Sequence, residues 1–462
     1  MNAGSKLAFL ATFIAAAGCT ALMTVTTQFR VLLEASAALV NSETLIVMAV
    51  LGQIVLAVVT VLIASIVAQV AFRQAVDELR RDIALRRLVG SRRRDERRRL
   101  FGGFSATGAV GAAAGWAAGA ILGAIVGLVL RQQRAEWHGV AIPWVDPAAL
   151  IPAAAIVLGA LAAAWGASRR VLQIAPAEAV RTAVQDEDLG AGRRRPLAWT
   201  LVVTGSAVLL ASLAGGFLTP LAVLPGVLGG ALSVLGIVAL ATPLTQGLLR
   251  LAAPAARKST ELSIALGSLQ RSPKRTGGIA IALMVGVAVV TMFSVAGETA
   301  LIAMDRAAGG DGMSETQREF LGEIAAQFMT VIALAVGGAS LIAVFGFVST
   351  MQMSVASRTR EIGLLRLVGM SVQRAKRTVL IEAALIGALA LASGFVLGLV
   401  YGWFGASMMF GSYPGMGVLM PAVPWLLPVL LAVATLAVAL GAGYPAARRA
   451  GRIRALEAVA VA

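Results

Sequence analysis

The sequence predicts an all-α polytopic membrane protein of about ten transmembrane helices, arranged as two parallel four-helix repeats with a two-helix pair between them. Three observations predict this: the composition, the recurrence of apolar runs of spanning length, and a gap-free internal repeat. Of the 462 residues, 58% are hydrophobic and only 13% are charged. Soluble domains carry roughly 25% charged residues. Little sequence is left for a large soluble domain.

Ten apolar segments fall near 7–28, 44–71, 103–130, 148–167, 198–217, 221–245, 277–297, 327–350, 380–407 and 424–443, and none has a Lys, Arg, Asp or Glu in its middle. A run of about 20 apolar residues spans the hydrocarbon core as a helix. Lipid offers no partner to backbone polar groups, so the helix must satisfy them itself. The first segment has Lys6 ahead of it and Ala17-Gly18-Cys19 inside it, faintly like a signal peptide with a lipoprotein cleavage box. The run is long for a signal core, and Ala16 stands where such a box has Leu. It is read as a retained span.

The connecting segments alternate in charge. Residues 73–99 hold eleven arginines. Further basic stretches lie at 168–196, 246–276 and 351–378, and in the C-terminal tail. The intervening loops are poor in Lys and Arg, and 298–326 is acidic. By the positive-inside rule both termini are expected in the cytoplasm. The net charge of +16 is thus a topology signal and no pointer to nucleic acid.

The repeat is visible in the cytoplasmic segments. Residues 81–90 (RDIALRRLVG) match residues 360–369 (REIGLLRLVG) at seven of ten positions, 279 residues apart. The same register pairs Gly115 with Gly394, Gly119 with Gly398 and Gly123 with Gly402. It also sets Arg169-Arg170 on Arg448-Arg449. Six spans separate the two starts, so both copies share one orientation and the repeat is parallel. The expected divisions are a first four-span repeat at 1–180, a linker with a two-span insertion at 181–260, and a second four-span repeat at 261–462. Gly111, Gly115, Gly119, Gly123 and Gly127 recur every four residues, as do Gly394, Gly398 and Gly402. Such rows lie on one helix face and let a second backbone approach closely.

The repeated decapeptide mixes charge with apolar residues at helical spacing, such as Ile362, Leu365 and Val368. Gly369 and Gly90 suit a helix C-cap. Such a helix can dock in a partner's groove or lie on anionic lipid. Composition alone leans to the lipid surface.

The stretch Ser357 to Met370, followed by Arg374, Arg377 and Glu382, resembles the signature of the FtsX-like permease family. So do the lead-in Ala265 to Thr276 and the exit Pro445 to Ala450 with Leu456-Glu457-Ala458. The first copy is degraded, with Arg86 in place of an apolar residue and Gly103 in place of Glu382. The ten-span duplicated form is most similar to bacitracin-resistance-type permeases of the bacterial plasma membrane. The resemblance implies a membrane subunit of an ABC transporter, with ATP and Mg held by a separate cytoplasmic ATPase in two copies. It implies that Arg81, Asp82, Arg87 and Gly90 seat one ATPase, and that Arg360, Glu361, Arg366 and Gly369 seat the other. Relatives often carry a large extracytoplasmic domain, whereas here the corresponding loops are 29–43 and 298–326. The short loops suit a lipid-like or membrane-partitioned substrate. Ser314 and Gln317 suit a capping box for a short helix at 314–326.

Enzymatic chemistry is not expected. Lys6, Lys258, Lys274 and Lys376 follow Ser, Arg, Pro and Ala, so the Gly-Lys of a phosphate-binding loop is missing. One cysteine and one histidine, Cys19 and His138, exclude a disulfide and a Cys/His metal cluster. His138 lies between Trp137 and Trp144, where aromatic residues act as interfacial anchors. Two other uses of this architecture are a relay that controls an extracytoplasmic cell-wall enzyme or sensor, and an ion-coupled transporter. The latter normally needs ionisable groups inside its spans.

Overall fold

The computed structural model describes residues 3–34, 50–59, 90–132, 150–173, 191–251, 259–308, 369–412 and 419–452, with single positions between them. Among these, ten helices of eleven residues or more were assigned: α1 (Ala3–Glu34), α2 (Arg93–Gln132), α3 (Leu150–Gln173), α4 (Ala191–Gly216), α5 (Val223–Ala239), α6 (Ala241–Leu251), α7 (Thr260–Arg271), α8 (Pro273–Ala308), α9 (Val372–Phe410) and α10 (Leu427–Arg452). No strand occurs among the described residues. The protein is an all-α polytopic membrane protein.

Six described stretches are long and apolar enough to cross a bilayer: Arg94–Val129, Arg195–Gly216, Pro220–Ala239, Thr276–Ala303, Val372–Phe410 and Leu427–Pro445. Helix α1 covers the expected segment 7–28, and α3 covers residues 150–167 of the expected segment 148–167. The segment 44–71 is helical over Val50–Val59. Segment 327–350, the 29–43 loop and the 314–326 capping box fall largely or wholly outside the described residues, as does most of each cytoplasmic motif.

Helix ends depart from the apolar segments in an instructive way. Helix α2 begins at Arg93, ten residues before the apolar run, and α8 continues through Glu298 and Asp305 to Ala308. Charge ends a lipid-facing run but does not end a hydrogen-bond ladder. At 1.5 Å per residue the 40 residues of α2 are roughly 60 Å long, about twice the hydrocarbon thickness. The segment expected as one span at 221–245 is interrupted: α5 stops at Ala239, and α6 starts at Ala241. Pro243 explains the break. It has no N–H for the Ala239 carbonyl, and its ring crowds that carbonyl.

The two repeats pack alike. Helix α1 lies along α2, which packs on α3; α8 lies along α9, which packs on α10. Helix α8 is the most enclosed, with 67% of its membrane window buried. Its Leu283, Met284 and Val285 share one core with Leu22, Leu56 and Ile66 of the first repeat. The central pair, α4 and α5, docks on α9. There Ser233 and Tyr401 hydroxyls are hydrogen bonded at 2.6 Å, and Met408 packs with Leu209 and Val223.

The lead-in to the second repeat is the amphipathic α7. Ser259 caps it, accepting from the Leu262 N–H at 3.2 Å, and Ala265, Leu266 and Leu269 face the core. Pro273 then opens α8. The buried Thr276 hydroxyl lies 3.1 Å from both the Leu269 and Ser272 carbonyl oxygens and donates to the pair, clamping α7 to α8.

Candidate functional site

The glycine rows are where each repeat is bolted together. In the second repeat Gly394, Gly398 and Gly402 face the main-chain oxygens of Met284, Ala288 and Met292 on α8. In the first, Gly115 and Gly119 face those of Phe13 and Ala17, and Gly123 meets Thr24 beside the Ala21 oxygen. Gly111 meets Thr12 and the Phe9 oxygen. A side-chain carbon at any of these positions would lie far inside van der Waals contact with the neighbouring helix. The geometry is that of paired Cα–H···O contacts, each worth about 0.5–1 kcal/mol. The partner residues stand 271 residues apart (13 and 284, 17 and 288, 21 and 292). The duplication therefore extends through the first span of each repeat. The second copy has eight more residues between that span and the decapeptide.

The helix ends remote from the motif reveal residues that sequence reasoning missed. Gln28 of α1 donates from Nε2 to the Pro143 carbonyl at 3.0 Å. At the matching position of α8, Thr299 Oγ1 accepts from the Ala422 N–H at 3.1 Å. Residues 143 and 422 are 279 apart, and 28 and 299 are 271 apart. The same latch is thus built twice with different chemistry. Beneath each latch sits a matched apolar plug: Val140 against Val25 and Leu32, and Leu419 against Ala300 and Ala303. Trp403 Nε1 adds a bond to the Leu419 carbonyl at 2.6 Å. Each loop before the last span of its repeat is thus tied to the far end of the first span. Comparing α1 with α8 at an offset of 271 would have exposed the pair, but hardly any residue there is identical.

The opposite ends carry the repeated motif. Gly90 and Gly369 have φ of +109° and +102°, the positive values found among the described residues. The Ser91 N–H bonds to the Arg86 carbonyl at 3.0 Å, which is the six-to-one bond of a Schellman stop. In the second copy Ser371 then caps α9, accepting from the Arg374 N–H at 3.3 Å. Arg92 holds that place in the first copy. Glu382, one of the signature residues, is buried in α9. Glu96 is buried in the first turn of α2, and its Oε2 has no hydrogen-bond partner among the described residues. Arg81, Asp82, Arg87, Arg360, Glu361 and Arg366 lie outside the described residues.

A positive φ excludes a Cβ at little more than steric grounds, so Gly369→Ala is expected to destabilise the motif turn by about 1–2 kcal/mol. Because the site around it is open, with nothing within 4 Å, the cost is purely conformational. Proteolytic sensitivity of the 351–378 segment in membranes would report it. An unchanged cleavage rate would show that the turn does not order the motif.

These features define a duplicated helical membrane subunit, with matched motif stops and matched latches at the opposite ends. The family model for the FtsX-like permease C-terminal region matches residues 54–176 and again residues 333–453. Together the matches cover more than half of the chain, and they begin 279 residues apart. The chain belongs to the FtsX-like permease family. Members are non-enzymatic membrane subunits of ABC systems and generally pair with a cytoplasmic ABC ATPase. No curated protein matches the chain.

Proposed function

We propose that this permease couples two copies of a separate cytoplasmic ATPase to the export or extraction of an amphiphilic, lipid-like, drug or peptide substrate. ATP and Mg stay on the partner. One observation carries the reading. Each motif stops at a positive-φ glycine and passes within three residues into one uninterrupted helix, α2 or α9. The 39 residues of α9 are roughly 58 Å long, so a push on its foot reaches the outer face without a hinge. Arg81, Asp82, Arg87 and Gly90 seat one ATPase, and Arg360, Glu361, Arg366 and Gly369 seat the other. Both termini lie in the cytoplasm of a bacterium, with the basic loops. The short outer loops favour a substrate that enters from the bilayer.

The outer latches favour a second reading, in which the same stroke moves the 139–144 and 419–426 loops to control an outer protein. Reconstitution of the permease with its ATPase in liposomes separates the two. Stimulation of ATP hydrolysis by an amphiphile, with its movement between leaflets, supports transport. A rate that answers only to an added outer protein supports the relay. No stimulation by either overturns both.

A further inference from the structure

We infer that the foot of the central helix pair is a binding site for an anionic phospholipid of the inner leaflet. The break at Pro243 sets α6 apart from α5, and α6 rests Ala241, Thr245 and Leu249 on the protein. Its other side is apolar too: Leu244 is 46% and Leu251 is 78% exposed. Between this side and the start of α4 lies a groove of about 350 Å³ lined by Trp199, Leu240, Pro243, Leu244, Gly247, Leu248 and Leu251. Its lining offers no charged or hydroxyl side chain. At Gly247 nothing lies within 4 Å of where a Cβ would stand, which keeps the groove open along α6.

The rim is cationic. Arg195 lies one turn before Trp199 on the same face of α4. Arg250 precedes Leu251 and stands three residues after Gly247 on α6. Both side chains are exposed, and neither meets a carboxylate among the described residues. An apolar slot beneath two guanidiniums that meet no carboxylate among the described residues matches an acyl chain beneath a phosphate. Guanidinium holds phosphate through paired N–H donors, and basic pockets between spans on the cytoplasmic side bind anionic headgroups. Trp199 lies four residues into the spanning stretch Arg195–Gly216, near its end, and indole rings anchor at span ends. A zwitterionic lipid fills the slot equally well and offers the same phosphate, but its own ammonium offsets that charge, so two guanidiniums favour a lipid of net negative charge. Neither repeat has a counterpart, because the central pair occurs once. The leaflet assignment rests on the orientation proposed above; the headgroup preference does not.

The test uses the whole chain in nanodiscs containing phosphatidylcholine with or without phosphatidylglycerol, Trp199 being retained and the other six tryptophans replaced by phenylalanine. Brominated phosphatidylglycerol is expected to quench Trp199 at far lower mole fraction than brominated phosphatidylcholine. Arg195→Gln with Arg250→Gln is expected to cut that preference roughly thirtyfold, about fivefold per charge. Leu244→Trp in a parallel variant, read by native mass spectrometry of retained lipid, is expected to fill the slot and release the lipid with both arginines intact. Equal quenching by the two lipids, or a preference untouched by the double substitution, would mean bulk annular lipid only and would overturn the site. Nanodiscs expose both leaflets to both lipids, so an inverted topology would leave this result unchanged. Accessibility labelling of the 73–99 segment in cells would reveal the inversion separately.

Discussion

Gly398→Leu is expected to abolish the stable fold of the second repeat. The glycine presses its Cα face against the Ala288 oxygen and the Thr291 side chain of α8. These neighbours are main chain and a β-branched residue whose hydroxyl is already committed to the Val287 carbonyl at 2.8 Å. Neither can step aside, so α9 must leave α8. Overpacking in a core that can partly adjust costs about 1–3 kcal/mol. Here the Gly394 and Gly402 contacts are lost with it, because all three lie on one face. The loss should exceed that range and remove most folded protein in detergent. Gly405→Ala is the control, since its site is open and a methyl there gains about 0.5–1 kcal/mol of helix stability. Thermal unfolding followed by size-exclusion fluorescence distinguishes the two. Equal melting of Gly398→Leu and Gly405→Ala would refute the close-packed interface.

The contrast between these two glycines shows what was legible in the sequence. Periodicity exposed the row at 394, 398 and 402, because a four-residue repeat must lie along one helix face. It left Gly405 unassigned, and that glycine indeed meets nothing. The repeat register also carried the motif stops at Gly90 and Gly369, since glycine alone is comfortable at positive φ. Three things were hidden. Helix ends were, because α2 and α8 run on past the first charged residues. The break at Leu240 was, because an apolar run containing Pro243 still reads as continuous. The latches were, because Gln28 and Thr299 share a position but no chemistry. One donates to a carbonyl and the other accepts from an amide. Selection on a contact can keep its geometry while its atoms change, and identity matching does not see that.

The second large effect concerns the motif itself. Arg366→Glu and Glu361→Lys are each expected to return the partner ATPase to its unstimulated rate, without loss of membrane insertion. The motif bears opposite charges five residues apart and ends at a fixed turn. If it docks into a groove, those charges lie at the rim of an enclosed contact. Truncating one partner of such a charge pair costs about 2–5 kcal/mol. Reversal adds repulsion, so occupancy of that seat should fall by roughly thirtyfold or more. The ATPase dimer would then be held by one seat, and a lever pushed at one end only transmits little closure. Asp82→Lys and Arg87→Glu should do less. The first copy carries Arg86 where the second has Leu365, and Arg92 where the second has its capping Ser371. It begins as the weaker seat, and less is lost when it goes. Comparable defects from both copies would argue for two equal seats. Full stimulation in Arg366→Glu would remove the decapeptide from the coupling path altogether. The lipid-surface reading makes a different prediction for the same variants. On an anionic membrane Glu361→Lys strengthens adhesion and Arg366→Glu weakens it, so the two would move in opposite directions instead of failing together.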